Sequence, residues 1–207
     1  MLVFSVLLGM LIERLILRPM IGEPVISVIM VTLGLSSVLK AIVQGIWGTD
    51  TRPFPEIFPS TPIQIGPLPV SQGYIYSVVC VAILLLLFTL FFKYSRAGVA
   101  MRATAFSQQV AQSMGISVRR MFALAWAIAA VVSAIGGILL GGVRGGVDAA
   151  LAAIGLKVIP VVILGGLDSI IGAIVGGLIV GVLENLAGGY LDPLFGGGVK
   201  EVAPFVV

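Results

Sequence analysis

Histidine is absent, and cysteine occurs once in the 207 residues. Without histidine or a second thiol there is no material for a zinc site, for Cys/His catalysis or for a disulfide framework. Cys80 lies inside an apolar run and says nothing about redox compartment. Charge is scarce as well, with 10% of residues being Asp, Glu, Lys or Arg. A soluble fold carries much more, and a hydrophobic share of 59% with mean hydropathy +1.19 points to a chain solvated by lipid. The net charge of +3 does not indicate a nucleic-acid partner, because the excess sits in one interval and not along a face with interleaved aromatics. A GxxxxGK[ST] phosphate loop is also missing. Gly197-Gly198-Val199-Lys200 lacks both the spacing and the hydroxyl, so this chain is expected to bind no nucleotide cofactor of its own.

What is present is a series of long apolar runs. The first twelve residues are apolar but short of the roughly 20 needed to cross hydrocarbon. They have neither a basic n-region nor a cleavage site, so they read as the end of a helix and the sequence as a fragment. Glu13 to Pro24, with two arginines, two glutamates and two prolines, is expected to form a short loop. Val25 to about Gly48 is long enough to span, with Lys40 snorkelling and Trp47 anchoring near its far end. Thr49 to Gly73 contains six prolines, which excludes a spanning helix. Within it, Ile63 to Ile65 before Gly66-Pro67 is compatible with a small hairpin or with an irregular loop.

Tyr74 to Phe92 is a 19-residue apolar run free of charge, and Met121 to Gly142 gives another span. Gly137 and Gly141 in the latter have the small-xxx-small spacing of close helix packing. Leu151 to Gly166 is interrupted by Lys157 and Pro160, so a short or broken helix is expected, with Lys157 either pairing structurally with Asp148 or lining a pathway. After a turn at Gly165 to Asp168, Ile170 to Leu183 carries Gly172, Gly176, Gly177 and Gly181 in overlapping GxxxG pairs, which predicts burial among other helices. Glu184 is expected to close that helix. Asn185 to Glu201 reads as a Gly-rich polar tail, and Val202 to Val207 as the first turn of another, cut-off helix.

The most basic interval is Lys93 to Arg120, with five Lys or Arg and no acid. The 13–24 segment has two, and the 49–73 segment has one. The positive-inside rule therefore places 13–24 and 93–120 in the cytoplasm and 49–73 outside. Ala103 to Met114 lacks proline and glycine and favours a helix of about three turns, with Gly115 at its C-terminal cap. Ala103, Val110, Ala111 and Met114 are read as one small apolar face for a partner groove, against a solvated connector positioned by anionic lipid.

KYSRAGVAMRA from Lys93, AQSMGIS from Ala111, GLK from Gly155 and VILGGLDSIIGAIVGGLIVGVLEN from Val162 resemble, in this order, the permease subunits of branched-chain amino acid ABC importers. ERLILRP from Glu13 and TLGLS from Thr32 are similar to that family too. The resemblance implies an all-α polytopic transmembrane helical bundle of the ABC importer permease type, with 1–207 as one incomplete transmembrane domain. It also implies residence in a prokaryotic plasma membrane, the inner membrane in a Gram-negative cell. The implied partners are the lipid bilayer, two cytoplasmic ABC ATPase subunits, a second permease subunit and an external substrate-binding protein delivering leucine, isoleucine or valine. It makes 93–120 a coupling loop whose helix includes Ala103, Ser107, Gln108, Ala111, Met114 and Gly115. Two features depart from the family pattern: Ser107, Gln108 and Gln109 stand where an acid is usual, and Pro160 follows the GLK stretch. Urea and short amides are alternative cargoes on the same scaffold. An ion-coupled carrier is a rival class, for which Lys157 alone would supply an intramembrane charge.

Overall fold

A computed structural model describes residues 1–55, 59, 61–65, 68–166 and 169–206. Glu56, the Gly66-Pro67 dipeptide and Asp168 lie outside the described residues. The chain divides into two compact units, Met1–Asp148 and Ala149–Val207.

In the first unit, α1 (Leu2–Ile12) does not stop at Glu13. It runs on through a π turn (Glu13–Leu17) and a 3-10 turn (Arg18–Met20), so the expected loop shrinks to 21–24. Nothing in ERLIL breaks a helix, and Pro19 falls in the first turn of the 3-10 stretch, where its missing N–H costs nothing. The Arg18 N–H donates to Glu13 O, five residues back, and the same spacing lets the Arg18 guanidinium reach the Glu13 carboxylate. α2 (Val25–Trp47) and α3 (Gln72–Tyr94) are spanning helices as expected. Several of their hydroxyls bond back to their own carbonyls, as in Ser37 to Leu33 O and Thr89 to Leu85 O, which satisfies those donors within the helix.

Between α2 and α3, β1 (Arg52–Pro53) leaves the loop to pair elsewhere, while β2 (Ile63–Ile65) and β3 (Leu68–Val70) form an antiparallel hairpin, Ile63 opposite Val70. α4 (Arg96–Phe106) and α5 (Gln108–Ser113) fill the basic interval, and α6 (Val118–Arg144) is the longest span. β4 (Gly146–Val147) then pairs antiparallel with β1, tying the end of α6 to the proline-rich loop. Phe54 and Val147 close over Gly141 there.

The helices pack through small residues. α1 lies against α6 at Gly9, where an added Cβ would stand 2.7 Å from Ala130 Cβ and 2.9 Å from Trp126 O. α4 folds back on α3 at Gly98, within 2.5 Å of Phe91 O on the same construction. Such contacts hold membrane helices by close packing, since lipid tails are as apolar as leucine. An apolar cleft of about 510 Å³ remains between α1, α3 and α6, lined by residues such as Val6, Phe88, Leu124 and Val131.

The second unit begins with α7 (Leu151–Leu156) and α8 (Val158–Gly165), separated at Lys157, the broken helix expected. α9 (Ile170–Leu186) is capped by the Ser169 hydroxyl, which accepts from the Gly172 N–H. α8 and α9 form a close hairpin. A Cβ at Gly176 would lie 2.6 Å from Val161 O, and one at Gly172 would overlap Gly165 O. The expected polar tail is instead helical. α9 continues through a π turn (Ala187–Leu191) into α10 (Asp192–Phe195), giving a 25-residue candidate span, Ile171–Phe195. Leu186, Tyr190, Leu191, Leu194 and Phe195 keep this stretch apolar, and Gly188-Gly189 sits in the π turn without breaking it. Gly196, Gly197 and Gly198, all at positive φ, reverse the chain. α11 (Val199–Val206) then returns along α9, with the Asp192 carboxylate accepting from the Lys200 N–H.

Candidate functional site

The interval after α3 is built by serines. The Ser95 side chain accepts from the Gly98 N–H at 2.9 Å and starts α4. Ser107 does the same for α5, accepting from the Val110 N–H at 3.3 Å. The expected continuous helix from Ala103 to Met114 is therefore two helices. Ser107, at φ −156 and ψ 113, is the C-cap of one and the N-cap of the next. Helix propensity favours continuity, but a serine side chain that replaces the lost backbone partners offsets the break. Gly115 does cap α5: it sits at φ +80, and Ile116 N–H donates to Ala111 O at 2.9 Å.

The expected contact face is rearranged. Ala111 is 2% exposed and turned into the protein, as is Val118. Ala103, Met114 and Gly115 are exposed, and Ser107 and Gln108 are half-buried. The large apolar groups offered outward are Phe106, 94% exposed, with Val110 and Met114. Phe106 went unremarked in the sequence. Three large apolar residues within nine positions of a polar loop are the signal that could have found it.

Beside α5, the two basic segments meet. Arg14, Arg18, Pro19 and Ile21 from the first, with Gln112, Val118 and Arg119 from the second, line a cleft of about 420 Å³. Glu13, 1% exposed, engages Arg18 through both oxygens at 3.2 and 3.1 Å. A buried carboxylate held by a guanidinium fork is satisfied and is not a free acid.

In the second unit, the Lys157 Nζ donates to Glu184 Oε1 at 2.6 Å, with 21% and 22% of the two side chains exposed. Within this unit Lys157 is thus partnered by Glu184, a pairing not foreseen from the sequence, which suggested Asp148. Because the span runs to Phe195, Glu184 lies near its middle, not at its end. Of the candidate packing glycines, Gly172 and Gly176 meet backbone of α8, and Gly177 makes an ordinary contact with Val161. Gly141 receives Phe54 and Val147, whereas Gly137 and Gly181 face open space among the described residues.

Among the described residues, four helices are long and apolar enough to cross a membrane, and α3 and α6 are joined by a short helical loop rich in arginine, which defines a multi-pass integral membrane protein. The family model described as branched-chain amino acid transport system / permease component matches residues 1–200, and the chain belongs to that family. Over 206 residues it is 32% identical to the high-affinity branched-chain amino acid transport system permease protein LivH of Salmonella typhimurium, covering 96% of this chain and 65% of the relative. It is 29% identical over 202 residues to BraD, a protein of the same description from Pseudomonas aeruginosa, covering 95% and 64%. A probable branched-chain amino acid transport permease protein LivH of Methanocaldococcus jannaschii is 34% identical over 129 residues, 61% of this chain and 41% of the relative. The chain thus spans a little under two thirds of the length of the first two. No solved structure matches it.

Proposed function

We propose that this chain forms part of a permease that passes branched-chain amino acids across the membrane within an ABC importer, driven by ATP hydrolysed on separate subunits. The family match across residues 1–200 carries this reading. In the same reading an external binding protein delivers the amino acid and a second permease subunit completes the path, while ATP is used by the partner ATPase subunits and no cofactor is bound by this chain. Uptake of labelled leucine and labelled urea, measured in cells carrying the full-length gene with and without the ATPase gene, tests it. Leucine uptake that requires the ATPase is expected. Uptake that persists without the ATPase would overturn the importer reading, and uptake of urea alone would replace the substrate.

The 93–120 interval is the proposed point of contact with the ATPase, and α4–α5 its contact element. Its support is the exposed apolar group Phe106, Val110 and Met114 in an otherwise polar loop, since such groups mark interaction sites more often than solvated connectors. Phe106→Ser with Met114→Ser is expected to lower co-purification of the ATPase at least tenfold and leave the melting temperature of the permease unchanged. Ala111→Arg is a poorer probe, because it would force a charge into a buried position. Undiminished co-purification of the double variant would remove α4–α5 as the contact.

A further inference from the structure

We propose that the cleft of Arg14, Arg18 and Arg119 is a binding site for the headgroup of an anionic phospholipid. Three guanidiniums line one cavity of about 420 Å³. Among the described residues, Glu13, bound to Arg18, is the one carboxylate paired with any of them, so the cleft keeps an excess of positive charge. Among the described residues the Arg14 and Arg119 side chains make no hydrogen bond or ion pair, and both residues are exposed. Guanidiniums present forked donors that match phosphate oxygens, and a cavity of this size accommodates a phosphate ester with its glycerol.

The surface leading to the cleft selects lipid over a protein partner. Leu7, Leu11 and Leu15 are all exposed at intervals of four along α1 and its π turn, forming an apolar stripe that ends beside Arg14. An acyl chain along the stripe places its phosphate at the arginines, which stand where the apolar run of α1 gives way to charge. The exposed apolar group of Phe106, Val110 and Met114, by contrast, is not part of the cleft lining. The docking proposed for α4–α5 therefore does not need these arginines.

The test uses the purified full-length protein and records bound lipid by native mass spectrometry, together with the melting temperature, as phosphatidylglycerol or phosphatidylcholine is added. Phosphatidylglycerol is expected to bind at least tenfold more tightly and to raise the melting temperature by several degrees. Arg119→Gln alone should weaken that preference, and Arg14→Gln with Arg119→Gln should abolish it. Arg96→Gln with Arg120→Gln, which removes equal charge outside the lining, should retain it. Equal binding of the two lipids by the unaltered protein would overturn the proposal, as would a preference that survives loss of Arg14 and Arg119. Competition by glycerol phosphate as effective as by the whole lipid would reassign the cleft to a soluble phosphate and overturn the lipid. Loss of ATPase co-purification in the Arg14/Arg119 variant with no lipid preference in the unaltered protein would assign the cleft to the protein partner instead.

Discussion

At Gly98 an added methyl group would meet Phe91 O at 2.5 Å and Phe92 Cα at 2.7 Å, and both are backbone atoms that cannot rotate away. Gly98→Ala is therefore expected to destabilise the first unit by about 2 kcal/mol, read as a lower melting temperature in detergent. Gly137→Ala should do the opposite, gaining up to about 1 kcal/mol, because the site is open and alanine is the better helix former. A loss at Gly137 equal to that at Gly98 would mean that another helix covers α6 there. The contrast shows what glycine spacing can tell. Gly137 and Gly141 share a face by spacing, but spacing does not reveal what lies opposite, and in this fold it is open space and an incoming Phe54. Gly172 and Gly176 were legible because the helix they meet is the preceding one in sequence. Gly9 and Gly98 stand alone, without a repeat to flag them, and only the packing of distant segments gives them meaning.

Among the elements, the α8–α9 hairpin is held at one end by glycine contacts and further along by the Lys157–Glu184 pair. A charge within a span is costly when its partner is removed, and much less costly when both are replaced. Lys157→Met or Glu184→Met alone is thus expected to cost on the order of 3 kcal/mol, and the Lys157→Met, Glu184→Met double variant clearly less than the sum. Additive losses in the melting temperature would show that the two groups act independently. This pair was invisible in the sequence because the end of α9 was misplaced. Gly188-Gly189 looks like a helix stop, yet the π turn absorbs both glycines and carries the helix to Phe195. The same kind of error, with opposite sign, applies to α4 and α5. There the absence of proline and glycine predicted continuity, and the Ser107 cap imposed a break. Long apolar spans were legible because twenty apolar residues have one physical solution in lipid, whereas caps and π turns depend on single side chains.

For the whole molecule, the grouping of loops predicted from charge, though not its sign, gains support that does not depend on counting charges. The 13–24 and 93–120 segments meet in one cleft, while the 49–73 loop pairs through β1 with the opposite end of α6. At 1.5 Å per residue, the 27 residues of α6 extend about 40 Å, more than the roughly 30 Å of the hydrocarbon layer. The two ends then fall on opposite sides, and by the positive-inside rule the cleft end, with the greater excess of arginine, is expected in the cytoplasm. With Cys80 and every other native cysteine of the full-length protein replaced by serine, Thr61→Cys should react with a membrane-impermeant maleimide in intact cells. Ser113→Cys should react only after permeabilisation; both positions are exposed, so access and not burial decides the result. The reverse pattern would invert the protein and remove the α4–α5 surface from any cytoplasmic ATPase. Labelling of both positions in intact cells would mean that α3, which joins these two regions, does not cross the membrane.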